Sequence, residues 1–213
     1  MTLTLTTYDW VPQMPRGLVR DLRVRWACEE LGRPYSVETV PLRDRGAAHQ
    51  AAQPFHQVPF IRDGDRVLFE SGAILLHLAE GTHLLPEDRR PEITQWLIAA
   101  LNSVETWLMA YFLARVVDDD DQAAERRAPL VTQRLAQLDA VLAQRDWIAG
   151  PDFTVADLML ADVSRQAQRF GLLGPHAHVA DHLARATARR AFARAFDDHM
   201  AHWAAADAAG SPA

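Results

Sequence analysis

Between Gln53 and Glu80, in the stretch QPFHQVPFIRDGDRVLFESGAILLHLAE, the hydrophobic period changes once, and that change leaves few folds open. Val58 to Arg62 and Arg66 to Phe69 are short, largely apolar runs separated by Asp63-Gly64-Asp65. An Asp-Gly between two such runs marks a hairpin, because glycine accepts positive φ without steric cost. After Phe69 the period moves from two to about 3.6: Ala73, Ile74, His77 and Leu78 share one face, broadened by Leu75 and Leu76. The stretch therefore predicts strand, turn, strand, helix, with Glu70-Ser71 at the last corner.

Two features of that unit carry chemistry. Pro59 opens the first strand without an N–H for a ladder, so the preceding backbone serves something other than a partner strand. About 5 to 6 per cent of X-Pro bonds are cis, so this prior alone favours a trans bond at a strand edge. A cis bond would instead turn the N–H and C=O of Val58 outward, where an extended peptide can pair with them. Ser71 opens the helix. It reads either as an ordinary cap or, with the free N–H groups of the first turn, as a carboxylate site. Glu70 beside it adds an acid at fixed spacing.

Upstream, Thr2 to Tyr8 alternates threonine with leucine as a strand does. Trp10 to Pro15 breaks regular structure, and a helix is predicted from about Gly17 to Leu31. That helix carries two apolar stripes: Leu18, Val19, Leu22 and Trp26, then Val24, Ala27, Cys28 and Leu31, so it is packed on two sides. Cys28 reads as core filling. Gly32-Arg33-Pro34 stops the helix. Tyr35 to Val40 is a second strand, and a short helix lies around Asp44 to Ala52.

Residues 81–90 read as a linker, rich in glycine, proline and charge. Beyond them, residues 91–213 read as helix only. Ile93, Trp96, Leu97, Ala100, Leu101, Val104, Trp107 and Leu108 set one helix from Glu92 to about Val117. Asp118 to Asp121 is a solvated bend, and a further helix follows from about Gln122 to Gln144. Thr154 and Asp157 form a capping box, with Phe153 and Leu158 as its hydrophobic staple. His178 and His182 stand four apart, but no HExxH-type acid accompanies them. They and His176 read as exposed histidines, and no metal site is expected. The alanine-rich tail from Ala204 reads as frayed.

With 213 residues the chain is long enough for a substantial core, divided over one or two domains. Its net charge of −6 argues against affinity for nucleic acid or an anionic membrane. No apolar run approaches the roughly 18 residues of a membrane span, and the N-terminus has no signal-peptide pattern. All 22 basic side chains are arginine, so no Schiff-base lysine exists, and arginine must meet any anionic ligand. The one cysteine cannot form an internal disulfide, which fits a cytoplasmic protein.

The Val58-Pro59 and Glu70-Ser71 pairs at this spacing resemble the glutathione-binding half of the glutathione S-transferase family, and the resemblance extends over nearly the whole chain. It implies a thioredoxin-like α/β domain of order βαβαββα over residues 1–80. An all-α domain over residues 91–213 would form the electrophile pocket. It further implies a cis Val58-Pro59 bond, with Val58 pairing to the cysteinyl part of glutathione and Gln57 near the glycyl end. Glu70 and Ser71 would hold the amino and carboxylate groups of the γ-glutamyl end. Glutathione is the implied co-substrate and a small electrophile the second substrate. Family members pair the first domain of one subunit with the helical domain of the other, which implies a homodimer.

A free thiol near pKa 8.5 needs a hydrogen bond or positive potential to ionise at neutral pH. Family members place a serine, cysteine or tyrosine in or just after the first strand. Here that region, DWVPQMPRGLVRD, has no serine or cysteine, and it is several residues longer than usual. Tyr8 is the nearest hydroxyl, and it reads equally as a core or edge tyrosine. Arg16 and Arg20 flank the helix start and either stabilise a thiolate or pair with Asp21 and solvent. The expected function is a glutathione transferase with Tyr8 and Arg16 as catalytic candidates. The alternative is a non-catalytic binding or interaction protein on the same fold. An activity like that of maleylacetoacetate isomerase is disfavoured, because its serine-rich motif is missing. The absence of CxxC disfavours a disulfide oxidoreductase.

Overall fold

The computed structural model describes residues 3–210. The expected strand start at Thr2 and the final Ser211-Pro212-Ala213 lie outside them. The described chain divides into two compact units: one runs up to Thr82 and takes in the C-terminal segment from Arg189, and the other is His83–Ala188.

The first unit contains a four-stranded sheet in the order β2-β1-β3-β4. β1 (Leu3–Tyr8) pairs parallel with β2 (Tyr35–Val40) across α1 (Asp21–Leu31). It pairs antiparallel with β3 (Phe60–Asp63), and Thr6 stands opposite Phe60. β3 turns at Gly64 (φ 60°) into β4 (Arg66–Phe69). α2 (Ala47–Ala52) precedes β3, and α3 (Ser71–Ala79) follows β4. This is the α/β order expected from the change of period. The first helix is shorter than its pattern predicts, because residues 13–18 form turns and regular hydrogen bonding begins only at Asp21.

All residues of α1 from Asp21 to Cys28 are buried, charged ones included. The two apolar stripes explain half of this. One side meets the sheet and α3, and the other is covered by α9 (Arg190–Ala208). The sequence pattern places that last helix in the helical domain and predicts a frayed tail from Ala204. Instead α9 runs through Ala208 and packs in the first unit. Trp26 meets Phe192 edge to face at 4.8 Å, and Arg189 reaches Glu30 through two bonds of 2.7 and 2.8 Å. No periodicity in α9 distinguishes this destination from the other helices.

In the second unit one helical run spans Glu87–Val117. It comprises α4 (Arg90–Ala99), a π-helical stretch Ala100–Glu105, α5 (Thr106–Phe112) and a second π-helical stretch Leu113–Val117. By length and composition this run meets the requirement for crossing a bilayer, although no uninterrupted apolar stretch of that length exists in it. A third of its most apolar window is buried, and within the unit it packs on α6 (Asp121–Leu142) and α7 (Val155–Arg169). Asp120 caps α6, accepting from the Ala123 N–H at 2.8 Å, and Arg115 pairs with Asp121, so the acidic run serves a helix start.

The capping box at the start of α7 forms, and its carboxylate does more than the sequence indicates. Asp157 accepts from the Thr154 N–H at 2.9 Å, the Thr154 hydroxyl at 2.8 Å and the Ile148 N–H at 2.6 Å. His182 Nε2, on α8 (Ala177–Thr187), lies 3.0 Å from the same carboxylate. His176 and His182 are therefore buried rather than exposed, at 4 and 0 per cent relative exposure; His178 alone is exposed. A carboxylate sealed from water requires this many partners.

Candidate functional site

The corner between β4 and α3 is backbone-strained. Glu70 adopts φ 66° and ψ 113°, outside the regions open to L-residues at little cost, where about 1 to 3 kcal/mol is typical. Such a conformation survives only where the surroundings impose it, and it occurs most often at functional sites. It sets Ser71 as the first residue of α3 rather than as its cap, and no side chain caps this helix. The Ser71 hydroxyl instead accepts from Arg23 Nη1 at 3.0 Å, with both side chains buried. With a lone pair committed to Arg23, the Ser71 proton is directed elsewhere, as recognition of a carboxylate needs.

Across from this corner the Val58-Pro59 peptide bond is cis. The ladder of β3 with β1 starts only at Phe60, so the backbone of Val58 lies beyond it. Gln53, buried to 2 per cent, accepts from the Phe55 N–H at 2.6 Å and fixes the approach to this bend. Gln53, Gln57, Val58, Pro59, Glu70, Ser71 and Arg20 line one narrow, solvent-open cleft. Five of the seven expected site residues are thus brought together.

Tyr8 and Arg16 are not in that lining. The Tyr8 ring lies 5.0 Å from the Arg45 guanidinium, and its carbonyl faces His202 Nε2 at 2.8 Å. Arg16 is held by Asp207, at 2.5 and 2.7 Å, and by the Val11 carbonyl. Asp207 in turn is drawn down to about 2, chiefly by its bond from Arg16. Arg20, the residue before α1, is the cation that reaches the cleft. Turns at residues 13–18, in place of the expected helical start, leave Arg16 outside the lining and Arg20 within it.

Residues 22–83 match the glutathione S-transferase N-terminal domain, and residues 104–189 match the glutathione S-transferase C-terminal domain. Glutathione S-transferase 3 of Zea mays is 31 per cent identical over 179 residues, covering 74 per cent of this chain and 80 per cent of the relative. The chain belongs to the glutathione S-transferase family. GstB of Escherichia coli is 31 per cent identical over 154 residues, 65 per cent of this chain and 74 per cent of the relative.

Solved structures of glutathione transferases share the fold. One from Phanerochaete chrysosporium, in complex with oxidized glutathione, has a TM-score of 0.83 at 18 per cent identity and covers 94 per cent of this chain and 97 per cent of its own. A family member from Pseudomonas fluorescens, with two glutathione bound, has a TM-score of 0.78 at 25 per cent identity, covering 92 per cent of each chain. In this glutathione S-transferase family chain, no group of three His, Cys, Asp or Glu side chains among the described residues is placed to hold a metal ion.

Proposed function

We propose that this chain is a glutathione transferase that binds glutathione in the cleft between Val58-Pro59 and Glu70-Ser71. The observation that carries the reading is the convergence of an extended backbone segment, a strained acid and a buried hydroxyl on one narrow cleft. Glutathione offers a matching set of groups. Its γ-glutamyl carboxylate suits the Ser71 hydroxyl and the N-terminus of α3, and its amino group suits Glu70. Its cysteinyl backbone suits Val58, and Gln57 lies toward the glycyl end. The glutathione-bound family member from Pseudomonas fluorescens supports the same ligand.

In the proposed conjugation the thiolate attacks an electrophilic carbon of the second substrate. An S–C bond forms, the leaving group departs with its electron pair, and the thiol proton is lost to solvent on binding. Arg20 supplies positive potential for the thiolate, in line with its place in the cleft lining. Allied isomerisation or peroxide reduction would use the same thiolate. A homodimer in the cytoplasm completes the proposal. Phe55, at 65 per cent exposure, and Ile98 and Val117, at 46 and 61 per cent, support a partner surface, and the single buried Cys28 suits a reducing compartment.

Isothermal titration with glutathione, followed by a panel of electrophiles including peroxides, tests the reading. Binding with turnover is the expected result, and no binding at millimolar glutathione defeats it. The non-catalytic reading keeps one observation in its favour, since Tyr8 is absent from the cleft lining. Binding without turnover on any electrophile would select it.

A further inference from the structure

His199 lies on α9, fully buried, and uses both ring nitrogens on one short segment of chain. Its Nε2 lies 3.2 Å from the backbone nitrogen of Gly17, which has only a proton to offer, so Nε2 is the acceptor. Its Nδ1 therefore carries the proton and faces Asp21 Oδ2 at 3.3 Å. Trp203 meets the imidazole edge to face at 5.3 Å and fixes its plane. Gly17 has φ 79°, a conformation that glycine adopts at no steric cost. Asp21 opens α1 and also accepts from Arg25 Nε at 2.8 Å.

The two anchors bracket Arg20, the cation in the cleft lining. We propose that His199 is a positioning residue: by clamping Gly17 and Asp21 it sets where Arg20 stands in the glutathione cleft. The proposal rests on the reading of that cleft given above. His199 holds the two ends of the segment that carries Arg20, while Asp207 holds Arg16 just before it. A cation that stabilises a thiolate must be held to within about half an ångström. Apolar packing between α1 and α9 would hold the helices together without any buried charge. The clamp of His199 and Asp21 accepts a desolvation cost that packing alone avoids.

Two substitutions divide the clamp. His199→Asn leaves a carboxamide N–H near the place of Nδ1, keeping Asp21 and losing Gly17. His199→Gln reaches the place of Nε2 with its carbonyl oxygen, keeping Gly17. Amide hydrogen exchange at Gly17 in the free protein reads the clamp without any ligand. Protection in wild type and in His199→Gln, lost at least roughly tenfold in His199→Asn, is expected. Glutathione affinity should fall roughly tenfold in His199→Asn, with a raised pKa for the bound thiol, and recover in His199→Gln.

In an Arg20→Gln background the same His199→Asn change should have no further effect on glutathione. A His199→Asn protein with fast Gly17 exchange but wild-type affinity and thiol pKa overturns the proposal. So does an undiminished effect of His199→Asn in the Arg20→Gln background. Should His199→Asn not fold, unprotected Gly17 in wild type overturns it equally. Failure of wild type to bind glutathione defeats the cleft reading instead, and Gly17 exchange still reports whether the clamp exists.

Discussion

Arg23 Nη1 donates to Ser71 Oγ at 3.0 Å, and this bond joins α1 to the first residue of α3 beneath the cleft. The arginine orients the hydroxyl and places positive charge behind the proposed carboxylate site. Arg23→Met keeps much of the buried stem but removes the donor. Glutathione binding should weaken by about 1 to 3 kcal/mol, the usual cost of leaving a charged partner short of its hydrogen bond. Titration calorimetry on a variant shown by circular dichroism to be folded checks this.

Arg20, rather than Tyr8 or Arg16, should tune the thiol. Arg20→Gln should raise the pKa of bound glutathione, so the thiolate absorbance appears at higher pH. Tyr8→Phe, which keeps the ring against Arg45, should leave that titration in place. A shift in Tyr8→Phe with none in Arg20→Gln would return the role to the tyrosine hydroxyl.

Much of this site is legible in the sequence because its constraints are local. Pro59, Gly64 and the change of period after Phe69 specify the bend, the hairpin and the helix start through backbone rules acting over a few residues. Glu70-Ser71 is then placed by chain order alone. The residues that were not legible are set by tertiary packing. Arg23 is one of two arginines in α1, and only the fold turns it under Ser71. α9 on α1 and the buried His182 beside Asp157 depend in the same way on long-range contacts that no spacing encodes. Arg20 lines the cleft and Arg16 does not, because turns before Asp21 delay the start of α1.

Asp63, in the β3–β4 hairpin, should make stability pH-dependent. His77 Nε2 and Arg33 Nη2 each lie 2.7 Å from its carboxylate, and the bond from His77, followed by that from Arg33, holds its pKa below the usual range. The stabilisation is present above the unfolded carboxyl value of about 3.9 and is lost as pH falls through the lower folded value. Asp63→Asn should therefore cost about 1 kcal/mol near neutral pH, a modest figure because Arg33 is partly exposed. The difference should shrink below about pH 4. Urea denaturation of both proteins at several pH values measures it; a gap that widens in acid contradicts the assignment.

Cys28 should be inert in the native protein. Its thiol is buried at 1 per cent exposure, and burial pushes its pKa up to about 12. A maleimide should label it only after denaturation. Rapid native labelling would require α1 to open readily on that side.

The central claim is that the Glu70-Ser71 corner holds the γ-glutamyl end of glutathione, and Ser71→Ala tests it most directly. The change removes one hydroxyl and leaves Arg23 and the helix start in place. Calorimetric titration of wild type and variant at the same salt and pH should show wild-type binding and a loss of about 1 to 3 kcal/mol in the variant. Equal affinity in the two proteins, or no binding in wild type, would contradict the account.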